Sequence, residues 1–303
     1  MKNKTCLVIV GPTAVGKTSI AVELAQHYGT EIISADSRQC YKELNIGVAK
    51  PSPEQLQKVR HWFINSHSIL EEVNAKAFEG YALQKVNEIF SKRDVAVMVG
   101  GTGLYIKAFC EGLDDLPEIN SDIRKAILAK YEAEGMEWLQ EEVKQTDPEF
   151  FARGEMKNPQ RMMRALEVKL SAGRSIRDFH SGTKKEREFN IITLGLELPK
   201  AQLHQHINSR VDAMMTNGLL GEVQHLAGAR HLNALQTVGY KELFEYFDGK
   251  VSLDTAIEQI KINTRHYSKR QLTWFKRDKS ITWFDPLAGL QPMLEIIQRS
   301  LPG

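Results

Sequence analysis

The chain has 303 residues, with 40 Lys or Arg against 38 Asp or Glu and 42% hydrophobic residues. That length and composition support a core without metal or disulfide staples, and the near-zero net charge excludes a protein whose whole surface binds polyanions. Three scattered cysteines (Cys6, Cys40, Cys110) make neither a disulfide framework nor a zinc knuckle, and no apolar run approaches the roughly 20 residues of a membrane span, so a cytoplasmic, soluble protein is expected.

Residues 6–10 are apolar and largely β-branched, which predicts a strand buried on both faces. Residues 17–28 carry Ile20, Ala21, Leu24 and Ala25 at helical spacing, and Gly29 stops the helix. Residues 31–35 and 61–64 read as short strands, 75–92 as an amphipathic helix and 95–99 as a further strand. From 114 to about 188 only helical periods occur. Asn158-Pro159 opens one helix there, with Met163, Leu166 and Leu170 as its inward stripe. Residues 181–187 read as a polar loop, and strand character returns at 191–196 and 281–284. This alternation predicts an α/β fold. Its core is a doubly wound, mainly parallel sheet built from residues 1–115 and 189–303, and 116–188 form a helical insertion.

Gly11-Pro12-Thr13-Ala14-Val15-Gly16-Lys17-Thr18 is a complete G-x-x-x-x-G-K-[ST] phosphate loop between a strand and a helix. Its backbone N–H groups and the helix N-terminus suit a di- or triphosphate, with Lys17 as a point charge and the Thr18 hydroxyl as a Mg²⁺ ligand. An ATPase normally adds an acid at the end of a later strand, but strand 95–99 runs into Gly100-Gly101-Thr102. Asp36, after the second strand, is the acid in the right place. A lone Asp there is often a turn or cap residue, but beside a phosphate loop it could hold Mg²⁺ through water or act as a general base. Strand C-termini of a parallel sheet share one rim, so the phosphate loop, Asp36 and Gly100-Gly101-Thr102 should converge there. Residues 261–279 hold seven Lys or Arg against one acid, interleaved with Tyr267, Trp274 and Phe275, and Arg161 and Arg164 lie one turn apart on the insertion. Basic residues among aromatics suit an RNA backbone with splayed bases, whereas an amphipathic helix burying Ile257, Ile260, Tyr267 and Trp274 fits the same pattern. His204 and His206 are two residues apart, point to different faces of a helix and do not read as metal ligands.

In chain order, these residues form a set of blocks. After the phosphate loop come Asp36-Ser37-Arg38-Gln39, Gly100-Gly101-Thr102-Gly103-Leu104-Tyr105, Leu113-Asp114-Asp115-Leu116-Pro117 and Asn158-Pro159-Gln160-Arg161. Then follow Arg210-Val211, Val238-Gly239-Tyr240 and Lys269-Arg270-Gln271-Leu272-Thr273-Trp274. Together they resemble the tRNA dimethylallyltransferases (tRNA isopentenyltransferases), a family with a P-loop NTPase-like fold. The resemblance implies transfer of a dimethylallyl group from dimethylallyl diphosphate, with Mg²⁺. The acceptor would be the exocyclic amine of the adenosine 3′ of the anticodon (tRNA position 37), in tRNAs reading codons that begin with U. It implies Asp36 as general base, Lys17 and Arg210 on the leaving diphosphate, and Thr102 orienting the adenine. It also implies an anticodon stem-loop held by Asp36, Ser37, Arg38, Gln39 and Thr102, by Gln160, Arg161, Met162, Met163 and Arg164 of the insertion, and by Gln236, Thr237, Val238, Gly239, Tyr240 and Lys241. Lys269, Arg270, Gln271, Trp274 and Lys276 complete that set, and the enzyme would act as a monomer. The sequence departs from the family pattern at Gln236, at Ala77 and at Gly154-Glu155-Met156-Lys157. A small-molecule P-loop kinase, a prenyltransferase of free adenine nucleotides and a non-catalytic RNA-binding module are the competing readings.

Overall fold

Six parallel strands form one sheet in the computed structural model, which describes residues 3–180 and 182–301. In chain order, β1 (Thr5–Val10) leads to α1 (Lys17–His27), β2 (Ile32–Ala35), α2 (Pro53–Lys58), β3 (His61–Trp62), α3 (Ala75–Phe90), β4 (Val95–Gly100) and α4 (Gly103–Glu111). Three helices follow: α5 (Ser121–Thr146), α6 (Pro148–Arg153) and α7 (Pro159–Ala172). The chain returns through β5 (Asn190–Leu196), α8 (Lys200–Thr216), α9 (Leu219–His225), α10 (Lys241–Phe247), α11 (Leu253–Phe275), β6 (Thr282–Phe284) and α12 (Gln291–Ser300). All six expected strands are present. The third is shorter than expected, because Phe63 turns left-handed (φ 63°) and takes the chain out of the sheet. The polar loop expected from Ser181 begins at a residue outside those described, and Gly182 to Arg187 are irregular.

The strand order is β3-β2-β4-β1-β5-β6, so β4 returns between β2 and β1. β1 lies at the centre of the sheet and is buried throughout, as its unbroken apolar sequence requires. Its side chains alternate between the faces. Leu7 and Ile9 join one apolar cluster with Ile20 and Leu24 of α1, Ile207 of α8 and Ile297 of α12. Each such side chain contributes about 1.5–3 kcal/mol on leaving water. An aromatic cluster packs on α3 and α4, with Phe63 against Phe78 and Tyr81 and Phe78 stacked on Tyr105. Among the described residues no helix is long and apolar enough to cross a membrane.

The chain divides into two compact units, Met1–Glu111 with Glu186–Gly303, and Gly112–Lys185. The insertion therefore starts and ends a few residues earlier than the sequence suggested. Gly112 (φ 76°) already ends α4, and Arg187 already belongs to the sheet unit. Its Nε donates to the Phe109 carbonyl (2.7 Å) and its Nη2 to Glu79 Oε1 (2.8 Å).

The insertion has its own apolar core, with Leu139 and Val143 of α5 against Met162, Ala165 and Leu166 of α7. α5 breaks at Gly135, whose backbone (φ 78°, ψ −157°) is not helical. Asn158 caps α7, accepting from the Arg161 N–H (3.2 Å), and Pro159 occupies the first turn as expected. The inward stripe differs from the expected one. Met162, Ala165, Leu166 and Val168 are buried, Met163 is half-buried and Leu170 is 48% exposed. The buried arc is thus rotated by about a residue, and Leu170 falls in the last turn before the chain reverses at Gly173.

Candidate active site

The consecutive strands β2, β4 and β1 end on one rim, with Ala35 beside Gly100 and Ile9 beside Val99. Asp36, the Gly100-Gly101-Thr102 turn and the phosphate loop follow directly from those ends. A cavity of about 360 Å³ opens there, within the range of small-molecule sites. Its wall includes Thr13, Lys17, Thr18, Ser34, Asp36, Gln39, Gly100, Gly101, Arg210, Tyr267 and Gln271. The expected convergence on the sheet rim is therefore observed.

The phosphate loop is built for an anion. Gly11 is pressed so closely on β5 that a Cβ would lie 2.5 Å from the Leu196 carbonyl oxygen. Gly16 takes a left-handed φ of 98° and starts α1 without a side-chain cap. The first N–H groups of the helix thus have neither an intrahelical acceptor nor a capping side chain and point at the cavity end. Lys17 Nζ donates to the Pro12 carbonyl (2.7 Å). Burial and the nearby Arg210 charge push the Lys17 ammonium down to about 7, against an opposing pull from Asp36. Arg210 Nη1 donates to Thr13 Oγ1 (3.3 Å), and His206 on the same helix lies 3.3 Å from the Ala14 carbonyl. Two cations thus face a cradle of backbone donors.

On the other side of the cavity, Asp36 Oδ1 accepts from the N–H groups of Arg38 (2.9 Å) and Gln39 (3.2 Å). Both bonds go to Oδ1, and the residue lines the cavity. Thr102 is the next residue after the cavity wall. Its hydroxyl accepts from the Ser37 N–H (3.1 Å), donates to Ser37 Oγ (3.4 Å) and faces the Tyr267 side chain. Burial, followed by the Asp36 charge, lifts the Tyr267 phenol to about 12. The Gln39 amide ties the segment down by donating to the carbonyls of Val48 (3.2 Å) and Ala49 (2.9 Å).

The inward face of α11 forms one wall. Tyr267, Gln271 and Trp274 lie at helical spacing, reaching Thr102, Gly101 and Gly103 in turn. Cβ atoms at Gly101 and Gly103 would lie 2.2 Å from the Gln271 amide nitrogen and 2.3 Å from the Trp274 ring. The glycines of the Gly100–Gly103 turn and the α11 side chains therefore require each other.

The residues expected on RNA separate into two groups. Gln236, Lys241, Lys269 and Arg270 are exposed, as are Arg277 and Lys279. Met162 and Tyr240 are wholly buried and have no surface to offer RNA, and Gln271, 6% exposed, turns from the outer surface to the cavity wall. Tyr240 donates to Glu222 Oε1 (2.6 Å). Gly239 is also buried, its N–H bound to Glu242 Oε2 (2.8 Å), while Thr237 and Val238 are half-buried. Lys276 pairs with Glu197 (2.8 Å) and lies over the Trp283 ring (3.9 Å). Gln160 is exposed, whereas Arg161 pairs with Glu155 and Arg164 with Glu167 (3.0 Å) inside the insertion. On α11, Ala256, Ile260, Ser268, Gln271 and Phe275 are buried, while Ile257, Tyr267 and Trp274 are only half-buried.

Tyr267 was not expected in the site, although its spacing from Gln271 and Trp274 is a legible signal. Glu222 had no such signal. It accepts from three successive N–H groups, those of Asn45 (3.0 Å), Ile46 (2.8 Å) and Gly47 (3.0 Å), and so anchors the segment after Asp36.

Comparison with known proteins places these features in a family. The family model "IPP transferase" matches residues 39–278. The tRNA dimethylallyltransferase of Christiangramia forsetii is 48% identical over 91% of this chain and 92% of its own. That of Flavobacterium johnsoniae is 46% identical over 98% of both. The crystal structure of the full-length tRNA isopentenylpyrophosphate transferase from Bacillus halodurans superposes with a TM-score of 0.72 at 34% identity, covering 99% of this chain and 97% of the other. A eukaryotic dimethylallyltransferase described as acting on tRNA gives 0.74 at 26% identity, over 90% and 70%.

Proposed function

Because the chain belongs to the IPP transferase family, we propose that it transfers a dimethylallyl group from dimethylallyl diphosphate to the exocyclic amine of the adenosine 3′ of a tRNA anticodon. The observation that carries this reading is a single cavity holding an uncapped phosphate cradle, two cations and the Asp36 carboxylate. The adenine amine is a weak nucleophile, so the reaction depends on the leaving group. As nitrogen bonds to the allylic carbon, the carbon–oxygen bond breaks and its electron pair departs with the diphosphate. The α1 amides, Lys17 and Arg210 stabilise that growing charge, and one such donor is typically worth about 3–4 kcal/mol. Asp36 takes the proton released by the amine, a step that contributes on the order of 10²–10⁴-fold. Thr102, braced by Ser37, orients the purine.

No three His, Cys, Asp or Glu side chains cluster as a metal cage among the described residues. The Thr18 hydroxyl on the cavity wall fits Mg²⁺ held mainly by diphosphate oxygens. Bound there, the ion would neutralise diphosphate charge. No water needs activation, which accounts for Gly100-Gly101 at the end of β4, where a kinase or ATPase would need an acid. The relatives' shared name favours prenyl transfer over the kinase reading.

The base must leave its stack to enter the cavity, so the substrate is a loop with splayed nucleotides. Exposed Lys269, Arg270, Arg277 and Lys279 on and after α11 supply phosphate contacts to it. A cytoplasmic, monomeric enzyme fits that substrate.

Incubation with dimethylallyl diphosphate, Mg²⁺ and total tRNA, followed by nucleoside mass analysis, tests the proposal. A prenylated adenosine is expected. Asp36→Asn keeps the acceptor for the Arg38 and Gln39 N–H groups, so turnover should fall about 10²–10⁴-fold with RNA affinity retained. Absence of product from folded wild-type protein would reject the reaction.

A further inference from the structure

Gln271 lies in a segment whose neighbours Lys269 and Arg270 face solvent, yet its own side chain is buried. The amide spans two loops. Its Oε1 accepts from the Thr13 N–H (2.8 Å) and its Nε2 donates to the Gly101 carbonyl (3.0 Å). A flipped amide would set donor against donor and oxygen against oxygen, so these two neighbours determine its orientation. Thr13 belongs to the phosphate loop and also accepts from Arg210. Gly101 immediately precedes Thr102. One rigid, planar group thereby sets the separation between the diphosphate cradle and the turn that carries Thr102. The fit allows no slack, since a Cβ at Gly101 would lie 2.2 Å from Nε2.

We infer that Gln271 is a positioning residue of the reaction: it acts through Thr13 and Gly101 to hold the phosphate loop at the distance from which the allylic carbon can meet the amine. Which groups are being aligned rests on the prenyl-transfer reading. The strut itself should act on any diphosphate in the cradle. A positional error of about 1 Å can cost on the order of 10²-fold in rate, so an interaction remote from the reacting atoms suffices.

Gln271→Met keeps the length and apolar bulk of the side chain and removes both hydrogen bonds. Gly101→Ala attacks the same strut from the other end. Each variant should weaken Mg²⁺-pyrophosphate binding about tenfold by calorimetry. Each should also raise KM for dimethylallyl diphosphate and lower kcat at least tenfold, with KM and Kd for tRNA within about twofold of wild type. In the double variant the flexible thioether can yield to the new methyl group, so the two losses should not add. Unchanged pyrophosphate affinity and kcat in Gln271→Met would overturn the proposal. A fall in tRNA affinity alone would also overturn it, making the residue an RNA contact. Additive losses would overturn it as well, and so would collapse of the fold in both variants, since the amide would then serve the core rather than the loop. Wild-type protein that binds pyrophosphate but forms no prenylated nucleoside would instead count against the reaction and leave the strut standing.

Discussion

Lys17 carries its charge in surroundings that oppose it. Burial and Arg210 lower its ammonium to about 7, so near neutral pH part of the substrate-free protein holds a neutral lysine. A bound diphosphate favours the charged form and moves that value back up. Between about pH 7 and the ordinary lysine range, the bound form therefore holds more protons than the free form. The lysine's own contribution to anion affinity should be level below pH 7 and weaken as pH rises beyond it. Calorimetry of pyrophosphate binding at pH 8, in two buffers of different ionisation heat, should show uptake of up to about one proton per site, and Lys17→Met should lose that uptake. Equal uptake in both proteins would mean that the lysine is already charged. Tyr267, lifted to about 12, stays protonated throughout this range.

Helix α9 controls a loop that contributes one wall of the cavity. Glu222 accepts three consecutive backbone N–H groups from residues 45–47 and the Tyr240 hydroxyl, and Gly47 fits so closely that a Cβ would lie 2.6 Å from the Tyr240 ring. The same segment continues into Val48, Ala49 and Lys50 on the cavity wall. Burial and Glu222 together raise the Tyr240 phenol far above its ordinary value, so it remains a donor to the carboxylate. Glu222→Ala would leave four donors unpaired, and a bond to a charged acceptor contributes about 1.5–3 kcal/mol. With water replacing part of the loss, the expected destabilisation is about 2–3 kcal/mol by denaturant unfolding. Amide exchange at residues 45–50 should accelerate more than in β1. Uniform acceleration across the sheet would show that the clamp is not local.

At the scale of the whole molecule, near-neutral composition hides a polarised charge distribution. In the insertion, residues 112–150 hold four Lys or Arg against eleven acids, and 151–185 reverse the balance with nine against three. In α11 and its extension, Lys261 pairs with Asp212 (2.9 Å), Arg265 donates to Asn208 (2.7 Å) and Lys276 pairs with Glu197. Lys269, Arg270, Arg277 and Lys279 project into solvent. If about five phosphates are contacted, RNA affinity should fall roughly as the fourth power of salt concentration, about 250-fold between 50 and 200 mM. Filter binding of an anticodon stem-loop measures the slope. A slope near zero would show that recognition rests on bases and shape instead of these cations.

Local chemistry makes the phosphate loop, the six strands, the insertion and the shared rim legible in the sequence itself. A G-x-x-x-x-G-K-[ST] string, β-branched runs and helical spacing are properties of neighbouring residues, and a parallel sheet always gathers its strand ends on one edge. Which side of a helix faces in depends on packing phase, and that was decided only in three dimensions. Met162 turned inward where Met163 was expected, and Gln271 left the RNA face for the phosphate loop 258 residues away. The Glu222 clamp closes over a separation of 177 residues or a little less. No periodicity in the chain marks such a partnership, because it exists only once the sheet and its covering helices have brought the two segments within hydrogen-bond reach.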